Sequence, residues 1–414
     1  QVESLQNNPS QGLVPREDNA GDIVTEALKP YLVENGGPIV LERVHFAEGR
    51  GNIIIKYPGT GKKTTSFLGS HLDVVPANPE VWEVDPFKLT VEGDNLFGRG
   101  TTDCLGHVAL ITDFFCSLAQ IKPKLRRSVL GIFIANEENK EVKDIGIDGL
   151  NKSGKLDEYN VKEGPVIWVD SADSQPCLGT AGMLTWSIKA KGKLFHSGMP
   201  NCAINPLELV MEAVNEVQRR FYLDFPAHPL EKKYNFECPS TMKPTQMECA
   251  RGSINQIPSN ATIMGDCRVN PFIKKEDVQR AIEGYIKDLN ENMEKIPTRG
   301  VSSKYVLPKE NLKGELELVW ITEGEDGIAC DLESEGNKAL TEAIKDVTGS
   351  VEPYSISGSL PLVKWMQDNG FDIQIVGFGL GERYHAQNEC CSFEKMKDGA
   401  KVLANVVARL EMSA

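Results

Sequence analysis

The sequence predicts an α/β protein with a mostly parallel sheet, interrupted by an inserted α+β domain of ferredoxin-like order. Three observations predict it. Strand-length apolar runs alternate with helix-period segments over residues 1–179, as in a parallel α/β layer. Over residues 180–327 the texture changes to alternating, half-exposed strands around two amphipathic helices. The first pattern then returns over residues 328–414. A chain of 414 residues also exceeds one ordinary core, which suggests about two domains or three.

The elements follow in order. "DNAGDIVTEALKPYLVENG" (18–36) has helical spacing and a glycine stop. "GNIIIKYPG" and "TTSFLGSHLDVV" read as strands about a "GTGKK" turn, and residues 106–121 as a buried helix. "SVLGIFIANEE" and "GPVIWVDSAD" are further buried strands. In the insert, "GMLTWSIKAKGK", the helix opened by Asn205-Pro206, two strands around a Pro-Ser-Asn turn, the helix "KKEDVQRAIEGYIKDLNENM" and the strand "GELELVWI" give β-α-β-β-α-β. Helices "EGNKALTEAIKDVTG" and "SLPLVKWMQDNG", the strand "FDIQIVGFG" and a closing helix from Phe393 resume the first domain.

Composition excludes some partners. The formal charge of −14 argues against nucleic acid, because phosphate binding needs a basic face. Apolar runs are strand-length, so no membrane span is expected, and no signal peptide is evident. The absence of an initiator Met implies a trimmed start. Ten scattered cysteines without a CxxC pair favour reduced thiols, hence the cytoplasm, with an organelle stroma as the alternative.

In open α/β sheets the chemistry gathers at the carboxyl ends of the strands. "SFLGSHLD" ends in His71 and Asp73, "IFIANEE" in Glu137 and Glu138, "VIWVDSAD" in Asp170, and "IQIVGFGLGERYHAQNE" runs out to His385. Asp103 joins them from the loop "FGRGTTDCLG". Each residue alone is weak evidence, since a histidine at a strand end is more often a cap or a core residue. Their convergence on one rim, with no cation as structural partner, points to a two-metal site of imidazole and carboxylate ligands. Adjacent residues of an extended segment point to opposite sides, so one of Glu137 and Glu138 can ligate while the other serves a metal-bound water as general base. His107 reads as buried in its helix, His45 and His228 as surface residues, and none of the cysteines as a ligand or nucleophile.

At these residues the chain resembles the co-catalytic zinc family that includes acetylornithine deacetylase, succinyl-diaminopimelate desuccinylase, aminoacylase and glutamate carboxypeptidase. "SHLDVVP", "WEVDPFKLTVEGDNLFGRGTTDCLG", "ANEE", "KGKLFHSGMP" and "YHAQNE" match its motifs in order, over nearly the whole chain. The resemblance is strongest to the acetylornithine deacetylase-like branch. It implies that Asp103 bridges two divalent ions (zinc, with cobalt or manganese as alternatives), one also held by His71 and Asp170, the other by Glu138 and His385. It further implies Glu137 as general base, Asp73 as the carboxylate that orients His71, and a cis peptide at Asp103–Cys104. His196 would come from the inserted domain of a partner subunit to stabilise the oxyanion, so the insert is expected to be a lid and dimerisation domain of a homodimer. Asn255, Arg268 and the Gly358–Ser359 turn are candidates for the substrate carboxylate, with Arg268 equally suited to a structural ion pair. Two departures stand out: "EENKEVKDIGIDGL" is longer than the usual short Gly-rich continuation, and "GTAG" (179–182) carries no base.

The expected activity is hydrolysis of a small N-acyl amino acid, N-acetyl-L-ornithine foremost, in ornithine and arginine metabolism. Dipeptidase or carboxypeptidase activity uses the same site with a different pocket. A non-catalytic scaffold of the same fold is the remaining alternative, and it typically lacks ligands or base, all of which are present here.

Overall fold

The fully apolar runs become the inner strands of one eight-stranded sheet. In the computed structural model, which describes residues 2–139 and 142–413, its order begins Val40–His45, Gly51–Tyr57, Ser128–Ile134, Thr64–His71, Val166–Val169, Ile373–Val376. Short strands at Cys177–Thr180 and Tyr354–Ile356 complete the far edge. The four strands from Ser128–Ile134 to Ile373–Val376 run parallel, and those flanking them pair antiparallel. Strands buried on both faces read as near-continuous apolar runs, as Ser128–Ile134 and Val166–Val169 do, while Thr64–His71 is equally buried with Thr64, Thr65, Ser66 and Ser70 among its residues. Helices Asp18–Leu28, Leu105–Ile121, Glu335–Thr348 and Phe393–Met412 contribute to one core with the sheet, through Val24, Ile111, Phe115, Phe67, Phe133, Leu340, Leu403 and Val406. Burying each such side chain stabilises the fold by about 1.5–3 kcal/mol.

Because the parallel strands share a direction, Thr64–His71, Ser128–Ile134 and Val166–Val169 all end at one rim. Gly69, two residues before that rim, has φ 101°, and a Cβ there would meet the Trp168 indole at 2.5 Å. Gly69→Ala is expected to destabilise the protein by about 1–3 kcal/mol from overpacking alone, read as a lowered denaturant midpoint.

Cα packing divides the chain into two compact units. The first comprises residues to Leu178, Cys330–Tyr354 and from Pro361 onward; the second comprises Gly179–Ala329 and Ser355–Leu360. The second unit has a four-stranded antiparallel sheet in the order Thr241–Cys249, Asn260–Val269, Gly182–Lys191, Glu315–Trp320. That is the ferredoxin-like arrangement. Gly182–Lys191 and Asn260–Val269 alternate between buried and half-buried residues, as a sheet covered on one face requires. Helices Pro206–Asp224 and Lys275–Glu291 pack Val214, Val217, Phe221 and Ile282 with Trp186, Ile188 and Ile263. Among the described residues no helix is long and apolar enough to cross a membrane.

Some expectations are corrected. The segment 18–36 is not one helix: the α-helix stops at Leu28, because Pro30 cannot donate to it, and 3₁₀ turns follow at Lys29–Tyr31 and Val33–Asn35. The expected helix in "SLPLVKWMQDNG" is confined to Val363–Asp368 and ends before Gly370 at φ 83°. Residues 355–360, read as part of the resumed first domain, group with the second unit. Ala181 N donates to the carbonyls of Ile356 and Gly358 at 3.0 Å each, and Ser355 Oγ donates to the Tyr234 carbonyl.

Candidate metal centre

Each strand end delivers its side chain to the first unit's rim. His71 closes its strand fully buried, and its ring Nδ1 lies 2.9 Å from the backbone carbonyl of Asp73. A proton on Nδ1 leaves Nε2 as the free donor atom. His71 Nε2 is 2.9 Å from Asp103 Oδ1, His385 Nε2 is 3.0 Å from Asp103 Oδ2, and His385 Nε2 is 3.3 Å from Glu138 Oε2. One buried aspartate thus faces both histidines, one with each oxygen. Donor atoms of His71, Asp103, Asp170 and Cys104 lie within 4.8 Å of one another, as do those of Asp103, Glu138 and His385, and those of His71, Glu137 and Glu138. The Asp103–Cys104 peptide is cis.

Asp73 lies beside the ring it is expected to orient and has a further use. Its carboxylate stands 3.5 Å from His71 Nδ1, so the backbone carbonyl rather than the carboxylate is the ring's near partner. The carboxylate also accepts the backbone N–H groups of Glu137 and Glu138, at 3.1 Å each, and Asn7 Nδ2 at 2.7 Å. It anchors the loop carrying the two glutamates. Cys104, set aside in the sequence, falls within the donor group, where its Sγ accepts the His71 N–H at 2.9 Å. Burial holds that thiol far above its usual range.

Negative charge exceeds positive charge in this low-dielectric rim, and the proton affinities record it. Burial, then the neighbouring Asp103, lifts Glu138 to about 8. The same two causes hold Asp170 well above the carboxylate range. Asp103 and Glu138 lift His385 to about 10. Burial opposes the His71 charge, yet Cys104, Asp103 and Asp73 raise it well above the usual value. Asp103 itself is held low, against its burial, by His385 and His71. Divalent cations would neutralise this excess directly. One atom bears on the fit: Glu138 Oε1 is buried with no hydrogen-bond partner among the described residues, an acceptor suited to a cation. Nitrogen and oxygen donors of this mix suit zinc and its first-row neighbours.

The other candidates lie in the second unit. His196, on the strand Phe195–His196, is exposed, and its Nδ1 accepts the Gly198 N–H at 3.0 Å. It shares with Asn255 and Met199 a surface hollow of about 370 Å³. Arg268 Nε donates to Asp266 at 2.8 Å, two positions along the same strand and face. Gly358 lends its carbonyl to Ala181, within the "GTAG" segment. In the longer loop after the glutamates, Lys140 and Glu141 lie outside the described residues. His107 is buried, with Nε2 accepting the Phe378 N–H at 2.8 Å, and burial lowers it to about 4, which suits a neutral acceptor.

Two groups of residues escaped the sequence reading. Glu389, within "YHAQNE", is wholly buried and accepts the N–H groups of Gly100, Thr102 and Asp103 while pairing with Arg99 at 2.7 Å. Its place in the motif was the available signal. Asn7, Glu17, Arg50 and Asn136 gather behind the glutamate loop, with no spacing in the sequence to reveal it.

A parallel α/β sheet whose strand ends gather histidines and carboxylates about one shared aspartate defines the class of metal-dependent hydrolases. The chain belongs to peptidase family M20/M25/M40, whose family model matches residues 67–409. It is 51% identical over 424 aligned positions to an acetylornithine deacetylase of Dictyostelium discoideum, covering 99% of this chain and 94% of that protein. It is 49% identical over 409 positions to an acetylornithine deacetylase of Arabidopsis thaliana, covering 98% and 92%. Among solved structures, an M20 family metallo-carboxypeptidase from Sulfolobus solfataricus superposes with a TM-score of 0.71 at 18% identity, covering 99% of this chain and 98% of that one.

Proposed function

We propose that this chain hydrolyses the amide bond of an N-acyl amino acid, with N-acetyl-L-ornithine the preferred substrate and L-ornithine and acetate the products. The observation that carries the reading is near-half identity, over nearly the full length, to two proteins named acetylornithine deacetylase. The donor arrangement supports it. His71, Asp103 and Asp170 would hold one divalent ion, and Asp103, Glu138 and His385 a second. Zinc is the ion the donors suit best, with cobalt and manganese as alternatives. When bound, the ions supply Lewis acidity toward the acyl carbonyl and the attacking water.

The chain's own groups move the protons. Glu137 takes one from the water as its oxygen attacks the acyl carbon. It then passes that proton to the amine nitrogen as the C–N bond breaks, so acetate and free amine leave and the carboxylate is regenerated. His196 donates to the developing oxyanion, supplied by a second copy of the chain in a homodimer. Its acceptance of the Gly198 N–H at Nδ1 supports this role, because the ring proton then sits on Nε2. Asn255 and the Gly358–Ser359 turn are assigned to the substrate carboxylate, with Arg268, whose Nε is held by Asp266, a further candidate through its Nη groups.

The test is elemental analysis combined with turnover of N-acetyl-L-ornithine and of dipeptides, before and after chelation. The expected outcome is about two divalent ions per chain, with deacylation abolished by the chelator and restored by zinc. Metal-loaded protein that prefers dipeptides would move the substrate to the peptidases. Protein that takes up no metal would sink the catalytic reading.

A further inference from the structure

The loop that presents Glu137 is held largely from the first fifty residues of the chain. Asp73, which receives the Glu137 and Glu138 amides, also receives Asn7 Nδ2 at 2.7 Å. The same Asn7 nitrogen lies 3.1 Å from Asn136 Oδ1, at the turn immediately before Glu137. Asn136 has φ 57°, in the left-handed region, and its own amide donates to the carbonyls of Asn139 and Val142 at 2.8 and 2.6 Å. Behind it lies an ion pair. Arg50 forks onto Glu17 with two contacts of 2.6 Å, both side chains buried. Arg50 Nη2 then reaches Asn136 Oδ1 at 2.9 Å, while Glu17 Oε1 accepts the Asn136 N–H at 3.2 Å.

Asn7 is itself fixed. Its N–H donates to the Val74 carbonyl at 2.8 Å, Val74 N–H donates to the Leu5 carbonyl at 3.0 Å, and Gln6 Oε1 receives the Ala77 N–H at 3.0 Å. Residues 5–7 thus run beside the segment that leaves His71. They lie before residue 67, where the family-wide match begins.

We infer that Asn7, working beside the buried Glu17–Arg50 pair that holds Asn136, is a positioning residue for Glu137. It donates to Asp73, which receives the Glu137 amide, and to Asn136, the residue before the base, and so holds the carboxylate where it meets the attacking water. With Asn7 in place the Asp73 carboxylate is fixed from both sides and Glu137 has little freedom to turn. Without it Asp73 keeps the two glutamate amides but loses its 2.7 Å donor, and the loop, still held at Asn136 by Arg50 and Glu17, is freer at Glu137. The inference rests on Glu137 being the base.

Asn7→Ala in the full-length, zinc-loaded protein tests it, with Asn8→Ala as the control, because Asn8 makes only an exposed contact with Ser10 through its side chain among those described. The readouts are kcat and KM for N-acetyl-L-ornithine, metal content, and amide hydrogen exchange of residues 135–139, the last also on chelated protein. For Asn7→Ala, kcat falls about 10- to 100-fold with KM and metal content unchanged. The Glu137 and Glu138 amides exchange about tenfold faster, with or without metal. Asn8→Ala leaves all of these as in the wild type. Unchanged kcat, unchanged exchange, or a loss of turnover that merely tracks loss of metal overturns the inference. A wild type that deacylates no N-acyl amino acid overturns the proposed function instead, and exchange at 135–139 then decides this inference alone.

Discussion

Glu137→Gln is expected to lower kcat for N-acetyl-L-ornithine by about 10²–10⁴-fold while leaving the protein folded and metal-loaded. Glutamine keeps the length and shape of the side chain and loses only the ability to accept and return a proton. The backbone N–H of residue 137 still donates to Asp73, so the loop keeps its anchor. Glu137 stands outside the His71, Asp103, Asp170 group and the Asp103, Glu138, His385 group, and in the third group, with His71 and Glu138, a glutamine still offers an amide oxygen. Substrate contacts are likewise untouched, and KM is expected to stay near the wild-type value. Elemental analysis and steady-state kinetics on the same samples check this. A variant that keeps wild-type kcat, or that loses metal in step with activity, would remove Glu137 from the role of base.

Glu389→Ala is expected to produce the largest loss of stability, about 3–5 kcal/mol, because it breaks a buried ion pair from one side. Oε1 of Glu389 receives the amides of Thr102 and Asp103 at 2.8 and 2.9 Å; Oε2 receives the Gly100 amide at 3.0 Å and Arg99 Nη1 at 2.7 Å. Truncation strands a buried guanidinium and three amides at once. Among the described residues Arg99 retains weaker company, a Trp82 ring 5.2 Å away and the Pro76 carbonyl at 3.4 Å. Against a typical total stability of about 5–15 kcal/mol, the midpoint of denaturant unfolding should drop steeply. Freed of its tether, Asp103 should also hold metal about 10- to 100-fold more weakly, seen by titrating the metal-free variant under native conditions. Glu389→Gln, which keeps the shape and loses the charge, should fall between. A midpoint equal to wild type for the alanine variant would show that water replaces the carboxylate at little cost.

Much of the first unit was legible because its inner strands are buried on both faces. A run such as Val129–Ile134 admits no charge until the strand is over, so Glu137 and Glu138 announce a rim. The edge strand Val40–His45 was not legible, since half-exposed Glu42 and Arg43 interrupt its apolar residues. Cys177–Thr180 and Tyr354–Ile356 are too short to carry a period. The helix read over 18–36 failed where periodicity was preferred to Pro30. At the site, the residues that bring donor atoms together were visible as strand ends, while those that hold them were not. Asp73 was read as the partner of a ring two residues away, and its second task, receiving the backbone amides of a different strand's loop, was not legible. Asn7 and Glu17 act across 129 and 119 residues of sequence to Asn136, a reach that no local pattern encodes.

The position of Ile373–Val376 in the sheet has a consequence for how the molecule is made. That strand pairs in parallel with Val166–Val169, and the helix Phe393–Met412 adds Val402, Leu403, Val406 and Leu410 to the same core. The ferredoxin-like sheet and both its long helices, by contrast, are complete in sequence by Trp320. On the ribosome the later-numbered unit is therefore the first whose core can close. Val166–Val169 emerges early and waits with one backbone edge unpaired while roughly two hundred residues are added, about 10–40 s at ordinary elongation rates. Throughout that interval the nascent chain carries an open apolar edge of the kind that recruits other strands. Its dependence on chaperones should be concentrated there, ending only when the closing strand and helix arrive.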